Sequence, residues 1–190
     1  MTKLSELSKG AFFSAGAKLL SKLIGFVSTL LLARLLTPSD FGIIAAISIA
    51  LYFFDVFGNA ATEQYIMQKS RLSSSELNTA WSINFILKCV ICIILICLSS
   101  VVANSLNMPE IATGLMVMSL VLPLNALRSP SLLQQKRMVR YQGIFALSMV
   151  EKVVAFVTVL TVALLLESYW AFIIADLVSV SVGSLLSYVL

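Results

Sequence analysis

Apolar residues run through this chain in six long stretches, approximately 11–36, 42–64, 80–103, 110–132, 143–166 and 169–190. Each is close to the roughly 20 residues that an α-helix needs to cross a bilayer. The breaks between them carry turn chemistry: Thr37-Pro38-Ser39-Asp40, Asn104 to Pro109, and Glu167-Ser168. Ser73-Ser74-Ser75-Glu76 reads as a capping sequence that opens the third helix. The pattern predicts an all-α integral membrane protein, a bundle of about six transmembrane helices forming a single transmembrane domain over residues 1–190.

Composition strengthens this reading. Hydrophobic residues make up 59% of the chain and charged residues 12%, more apolar surface than a soluble fold of this size can bury. The N-terminal apolar run is interrupted by Lys18 and Lys22 and continues to Leu36, which is unlike the short core of a cleaved signal peptide. Cys89, Cys92 and Cys97 lie inside one apolar stretch. Cys89-x-x-Cys92 has a redox or zinc spacing, but the chain has no His and no other Cys to complete a site, so the three read as buried small hydrophobes. No metal, no cofactor and no catalytic constellation is expected, and no phosphate-binding loop that would hydrolyse ATP.

Charge supplies orientation. Lys3, Lys9, Lys69, Arg71, Lys136, Arg137 and Arg140 all fall on one set of ends and loops, with Arg128 nearby; the opposite loops hold no Lys or Arg. The positive-inside rule then places both termini in the cytoplasm. The net charge of +4 is accounted for by membrane topology, and nucleic acid is not an expected partner. The segment Gln134 to Tyr141 either contacts anionic lipid headgroups or serves as a topology determinant. Pro123 and Pro130 each remove a backbone donor and can kink the fourth stretch.

The chemistry lies in the polar residues at membrane depth. In the first stretch Ser14, Lys18, Ser21, Lys22, Gly25, Ser28 and Thr29 recur at helical spacing within an arc of roughly 120°. In the second, Ser48, Tyr52, Asp55, Asn59, Thr62 and Glu63 occupy an arc of roughly 100°. Bringing the two stripes together would set Lys18 and Lys22 toward Glu63 or Asp55. Asn84, Lys88, Cys92 and Ser99 share a face of the third helix, Glu151 and Lys152 lie near the cytoplasmic end of the fifth, and Asp176 keeps company with Tyr169, Gly183 and Ser187 in the sixth. An ionised side chain at the bilayer centre costs on the order of 3 kcal/mol, tolerable if it faces water or an opposite charge. Two readings follow: a hydrated pathway lined by Lys18, Lys22, Asp55, Asn59, Glu63, Lys88 and Asp176, or interhelical salt bridges with snorkelling at the span ends, as for Arg34 and Lys152.

Several motifs resemble a known family. Ala33-Arg34-Leu35-Leu36-Thr37-Pro38-Ser39-Asp40-Phe41-Gly42 is similar to the end of the first helix of bacterial polysaccharide exporters. Asp55 to Ala61, Gln68, Leu72-Ser73 and Asn78 to Trp81 resemble their second and third helices. Arg128-Ser129-Pro130 with Leu133 to Met138 resembles the fourth helix and its loop, and Glu167 to Ala171 the start of the sixth. In order and spacing these resemble the Wzx-like oligosaccharide flippases of the multidrug/oligosaccharidyl-lipid/polysaccharide exporter superfamily. The resemblance implies one lobe of a two-lobe exporter in the bacterial inner membrane, moving an undecaprenyl-diphosphate-linked oligosaccharide without catalysis, with Lys18 and Lys22 attracting the diphosphate. Only the N-terminal lobe is resembled, which implies a half-length or truncated form and a second lobe or a second copy as partner. A cation-coupled multidrug exporter lobe and an inactive membrane scaffold are the alternatives.

Overall fold

The computed structural model describes residues 2–68, 73–132, 135 and 141–189, with side chains described for 19–56, 73, 75–132, 135 and 143–189. Within these residues the regular structure is helical: α1 (Thr2–Leu35), α2 (Pro38–Gln68), α3 (Ser74–Leu106), α4 (Glu110–Ser119), α5 (Val121–Ala126), α6 (Tyr141–Leu166) and α7 (Trp170–Leu186). The loop residues Lys69, Arg71, Lys136, Arg137 and Arg140, and the side chains of Lys3 and Lys9, lie outside the described residues, as does the sidedness read from them.

Local chemistry sets the helix ends. Thr37 and Asp40 form a reciprocal cap at the start of α2. The Asp40 carboxylate accepts from the Thr37 backbone N–H at 3.1 Å and its hydroxyl at 2.6 Å, while the Thr37 hydroxyl accepts from the Asp40 N–H at 3.2 Å. Pro38 at the first helical position has no donor to lose. The other Asp40 oxygen accepts from the Tyr169 N–H at 3.2 Å, so one carboxylate satisfies orphan donors at the starts of both α2 and α7. Ser73 and Glu76 make the capping box expected for α3, with Ser75 N–H donating to the Ser73 hydroxyl and Ser73 N–H to the Glu76 carboxylate. Ser73→Ala is expected to cost about 1 kcal/mol, read as a lowered melting midpoint of the purified protein, while Ser75→Ala changes little. Asn107 ends α3 in the left-handed conformation at φ 54°, a position its short amide side chain tolerates.

The stretch expected as one span over 110–132 is broken. α4 stops at Ser119 and α5 resumes at Val121 because Pro123 has no N–H to offer the Ser119 carbonyl. Beyond Ala126 the chain turns, and the orphan carbonyls of Leu124 and Leu127 accept instead from the Ser184 and Tyr188 hydroxyls at 2.5 and 2.7 Å. Among the described residues, stretches of three helices are long and apolar enough to cross a bilayer: Pro38–Val56, Ser75–Leu106 and Gly143–Leu166. Glu110–Ala126 and Trp170–Leu186 are apolar but shorter.

α7 sits between two packing groups. On one side Ile173 and Val180, with Tyr169 just ahead of the helix, join Ile43, Ile47 and Leu51 of α2, Ile91 and Leu95 of α3, and Ile111 and Leu115 of α4. On the other, Ala171 and Ala175 meet Leu32 of α1, Leu36 just beyond it, and Val159 and Ala163 of α6. At about 100° per residue, Ala171 and Ala175 lie roughly 160–200° around α7 from Ile173. Small residues on the α1/α6 side permit close helix approach where lipid supplies no hydrophobic drive. The outward faces are apolar: Leu20, Leu23 and Phe26 of α1, Ile86, Ile93 and Val101 of α3, and Val153, Val157 and Leu165 of α6 are exposed. Only 17%, 28% and 11% of the three long apolar stretches are buried, so their hydrophobic surface points outward, as lipid contact requires.

Candidate functional site

The first polar cluster joins α2 to α3. Asn84, Lys88, Cys92, Leu95 and Ser99 fall within an arc of about 80°, and Lys88, Cys92, Leu95 and Ser99 are buried, so the polar stripe of α3 faces the interior. Asp55 reaches this stripe from the flank of the Ile43–Ile47–Leu51 face of α2, and its carboxylate accepts a hydrogen bond from the Lys88 ammonium. The Lys88 side chain is 3% exposed and that of Asp55 28%, so the cation is dry while the anion keeps some access to its surroundings. One turn before Lys88, Asn84 Oδ1 is buried without a hydrogen-bond partner. Four residues beyond Lys88, Cys92 Sγ lies 3.4 Å from Ser119 Oγ. Because that hydroxyl donates to the Met116 carbonyl at 2.7 Å, the thiol is the donor in this contact.

Of the residues expected to bring the α1 and α2 stripes together, the side chains of Lys22 and Asp55 are described. Asp55 pairs with Lys88 of α3, and α1 packs on α6 and α7. Periodicity shows which face of a helix is polar, but the partner depends on which helix is adjacent, and here that is α3. Lys22 is exposed on α1 beside exposed Gly25 and Thr29. Asp176 is half-buried on α7, within the fields of Lys152 and Arg128. The side chains of Lys18, Asn59 and Glu63 lie outside the described residues.

A second cluster, around Arg128, was only partly visible in the sequence. The Arg128 carbonyl accepts from the Trp81 indole N–H of α3 at 2.9 Å. The next residue, Ser129, donates its N–H to the Ser187 hydroxyl at the end of α7, also at 2.9 Å. Arg128 Nη2 stands 2.8 Å from Glu151 Oε1 of α6, with the two side chains 26% and 17% exposed. The Glu151 side chain crosses α7 at Gly183, where an added Cβ would overlap the carboxyl group and stand 2.6 Å from its Cδ. Opposite charges at one end of neighbouring spans were the available signal for this pairing. No local spacing links a turn residue to a helix that begins 13 positions later.

Residues 31–190 match a family described as polysaccharide biosynthesis protein. The chain is similar to the lipopolysaccharide biosynthesis protein WzxC of Escherichia coli (strain K12), 27% identical over 120 residues that cover 63% of this chain and 24% of that protein. It is also similar to an uncharacterized membrane protein in the cps region of Klebsiella pneumoniae, 23% identical over 113 residues covering 60% of this chain and 23% of that one. The matched region thus spans about a quarter of either relative's length. No solved structure matches the chain. On the match over residues 31–190, the chain belongs to the polysaccharide biosynthesis protein family, whose Wzx-like members it resembles.

Proposed function

We propose that the protein is one lobe of a polysaccharide exporter that carries a lipid-linked oligosaccharide across the bacterial inner membrane. The observation that carries this reading is the family match over residues 31–190. The charged residues at membrane depth support it, because a passive scaffold has little use for them. In this reading six spans cross with both termini in the cytoplasm, and the chain is a single transmembrane domain. Lys18, Lys22, Asp55, Asn59, Glu63, Lys88 and Asp176 border a hydrated path, and a second lobe or second copy supplies its other wall. The substrate is an undecaprenyl-diphosphate-linked saccharide whose diphosphate is drawn by Lys18 and Lys22. Lys22 is exposed on α1, which suits that role. Translocation here is transport and not catalysis.

Expression in a strain lacking its flippase tests the reading. Wild type is expected to restore surface polysaccharide, alone or with a separately expressed second lobe, and Lys18→Ala/Lys22→Ala to lose most of that restoration at equal membrane abundance. Failure of inserted wild type under both conditions would overturn the exporter reading. Equal restoration by the double variant would remove the two lysines from it.

A further inference from the structure

The Arg128 cluster is built unlike a permanent salt bridge. A settled Arg–carboxylate pair is commonly bidentate, with both groups' remaining polar atoms satisfied. Here Nη2 approaches Oε1 to 2.8 Å, yet Glu151 Oε1 completes no well-directed hydrogen bond and Arg128 Nε is buried with no partner. Buried polar groups left unmet weaken the closed arrangement relative to any alternative that satisfies them. Such alternatives are at hand. Glu151 is attracted by Lys152 as well as Arg128 and repelled by Asp176, while Asp176 is attracted by both Lys152 and Arg128. Asp176 therefore offers Arg128 a second anion.

The backbone around this pair is held firmly. Arg128 and Ser129 are tied to α3 and to the end of α7 through Trp81 and Ser187, and Leu124 and Leu127 through Ser184 and Tyr188. Against that fixed frame the Glu151–Arg128 contact is an under-bonded polar link between α6 and the α5/α7 end, beside the apolar packing of α6 on α7. Gly183 is the only residue type that leaves room for the carboxylate to cross α7 at this point.

We propose that Arg128 and Glu151 form an openable latch across the α5–α6–α7 seam, with Gly183 as the socket through which the carboxylate reaches the guanidinium. Closed, the latch holds α6 against α7. Open, Arg128 turns to Asp176, Glu151 leaves the Gly183 socket, and this end of the seam loosens while the packing of Ala171 and Ala175 on α6 remains. The purpose of the opening, a change of access during transport, rests on the exporter reading; the latch itself does not.

Thiol labelling tests it without transport. Ser179 is buried on α7 one turn from Gly183 and donates to the Asp176 carbonyl of its own helix. Ser179→Cys, in a background of Cys89→Ser, Cys92→Ala and Cys97→Ser, then reports on the seam in purified protein. Arg128→Ala, shape-preserving Glu151→Gln and Gly183→Ala are each expected to raise the rate of maleimide labelling by about tenfold, as a local opening equilibrium does. Arg128→Lys, which keeps the charge, is expected to stay near the parent rate. Unchanged labelling in Arg128→Ala and Glu151→Gln would overturn the latch. So would an Arg128→Lys rate as high as that of Arg128→Ala, because packing and not charge would then hold the seam. Unchanged polysaccharide export by variants that label faster would overturn only the role of the latch in transport.

Discussion

Asp55→Ala is expected to destabilise the protein by about 3–5 kcal/mol, because it strands the Lys88 ammonium in the interior. Lys88 is 2% exposed as a residue, on the inward face of α3 between buried Ile91 and Cys92 and half-buried Asn84 and Leu87. The reverse change, Lys88→Met, is expected to cost only about 1 kcal/mol, the net worth of an ordinary hydrogen bond, since the Asp55 side chain is 28% exposed and methionine fills much of the vacated volume. The asymmetry is the diagnostic feature. Removing both charges in Asp55→Leu/Lys88→Met is expected to recover most of the loss, because a buried pair replaced by apolar groups is often neutral. Melting of the purified protein in detergent reads all three variants, with a drop of roughly 10 °C expected for Asp55→Ala. Equal losses for the two single variants would show that Lys88 is not the drier partner. The double variant also separates roles: if Asp55 and Lys88 border the transport path, it should be stable and yet impaired in export.

Gly114→Leu is expected to be as damaging for a steric reason. Gly114 is buried where α4 crosses α2 and α7, and a Cβ there would stand 2.6 Å from Ile47 Cδ1, 3.3 Å from Ile173 Cδ1 and 3.5 Å from Tyr169 Cε2. Both isoleucines are 1% exposed, so neither has free space to move into. Alanine adds an overpacking cost of about 1–3 kcal/mol, offset in part by a helix-propensity gain of up to about 1 kcal/mol over glycine. Leucine adds three more carbons at the same point and is expected to exceed 3 kcal/mol or to prevent folding. Gly114→Leu/Ile47→Ala should regain part of the loss by clearing the nearest clash. Gly25→Ala is the control: nothing lies within 4 Å of a Cβ there, so the propensity gain stands alone. A Gly114→Leu protein that melts like the parent would contradict the close α2–α4–α7 crossing.

Much of the helical architecture was legible in the sequence because its signals are local. The cap written in Ser73 to Glu76 forms, and the stripe of Asn84, Lys88, Cys92 and Ser99 shares one helix face as its spacing requires. Pro123 announced a disturbance in the fourth stretch, though not that α4 would end at Ser119 and α5 at Ala126. Partner choice was not legible. Asp40 reaches Tyr169, Asp55 reaches Lys88 and Arg128 reaches Glu151 because of which helices lie side by side. Helical periodicity carries no information about that. Gly183 is the clearest case: beside Asp176 it reads as one more small residue on a polar face, and only the position of Glu151 explains it.

An α1 that borders the proposed path has its polar face in water within the membrane and its apolar faces in lipid. Lys22 and Thr29 are exposed on the polar side, and Leu20 and Val27, at matching depths, are exposed well around the helix from them. Single cysteines placed by Lys22→Cys, Thr29→Cys, Leu20→Cys and Val27→Cys in a cysteine-free background, in native membranes, can be probed with a water-soluble thiol reagent. Labelling at positions 22 and 29 and protection at 20 and 27 are expected. Protection at all four, or equal labelling of the two pairs, would contradict it.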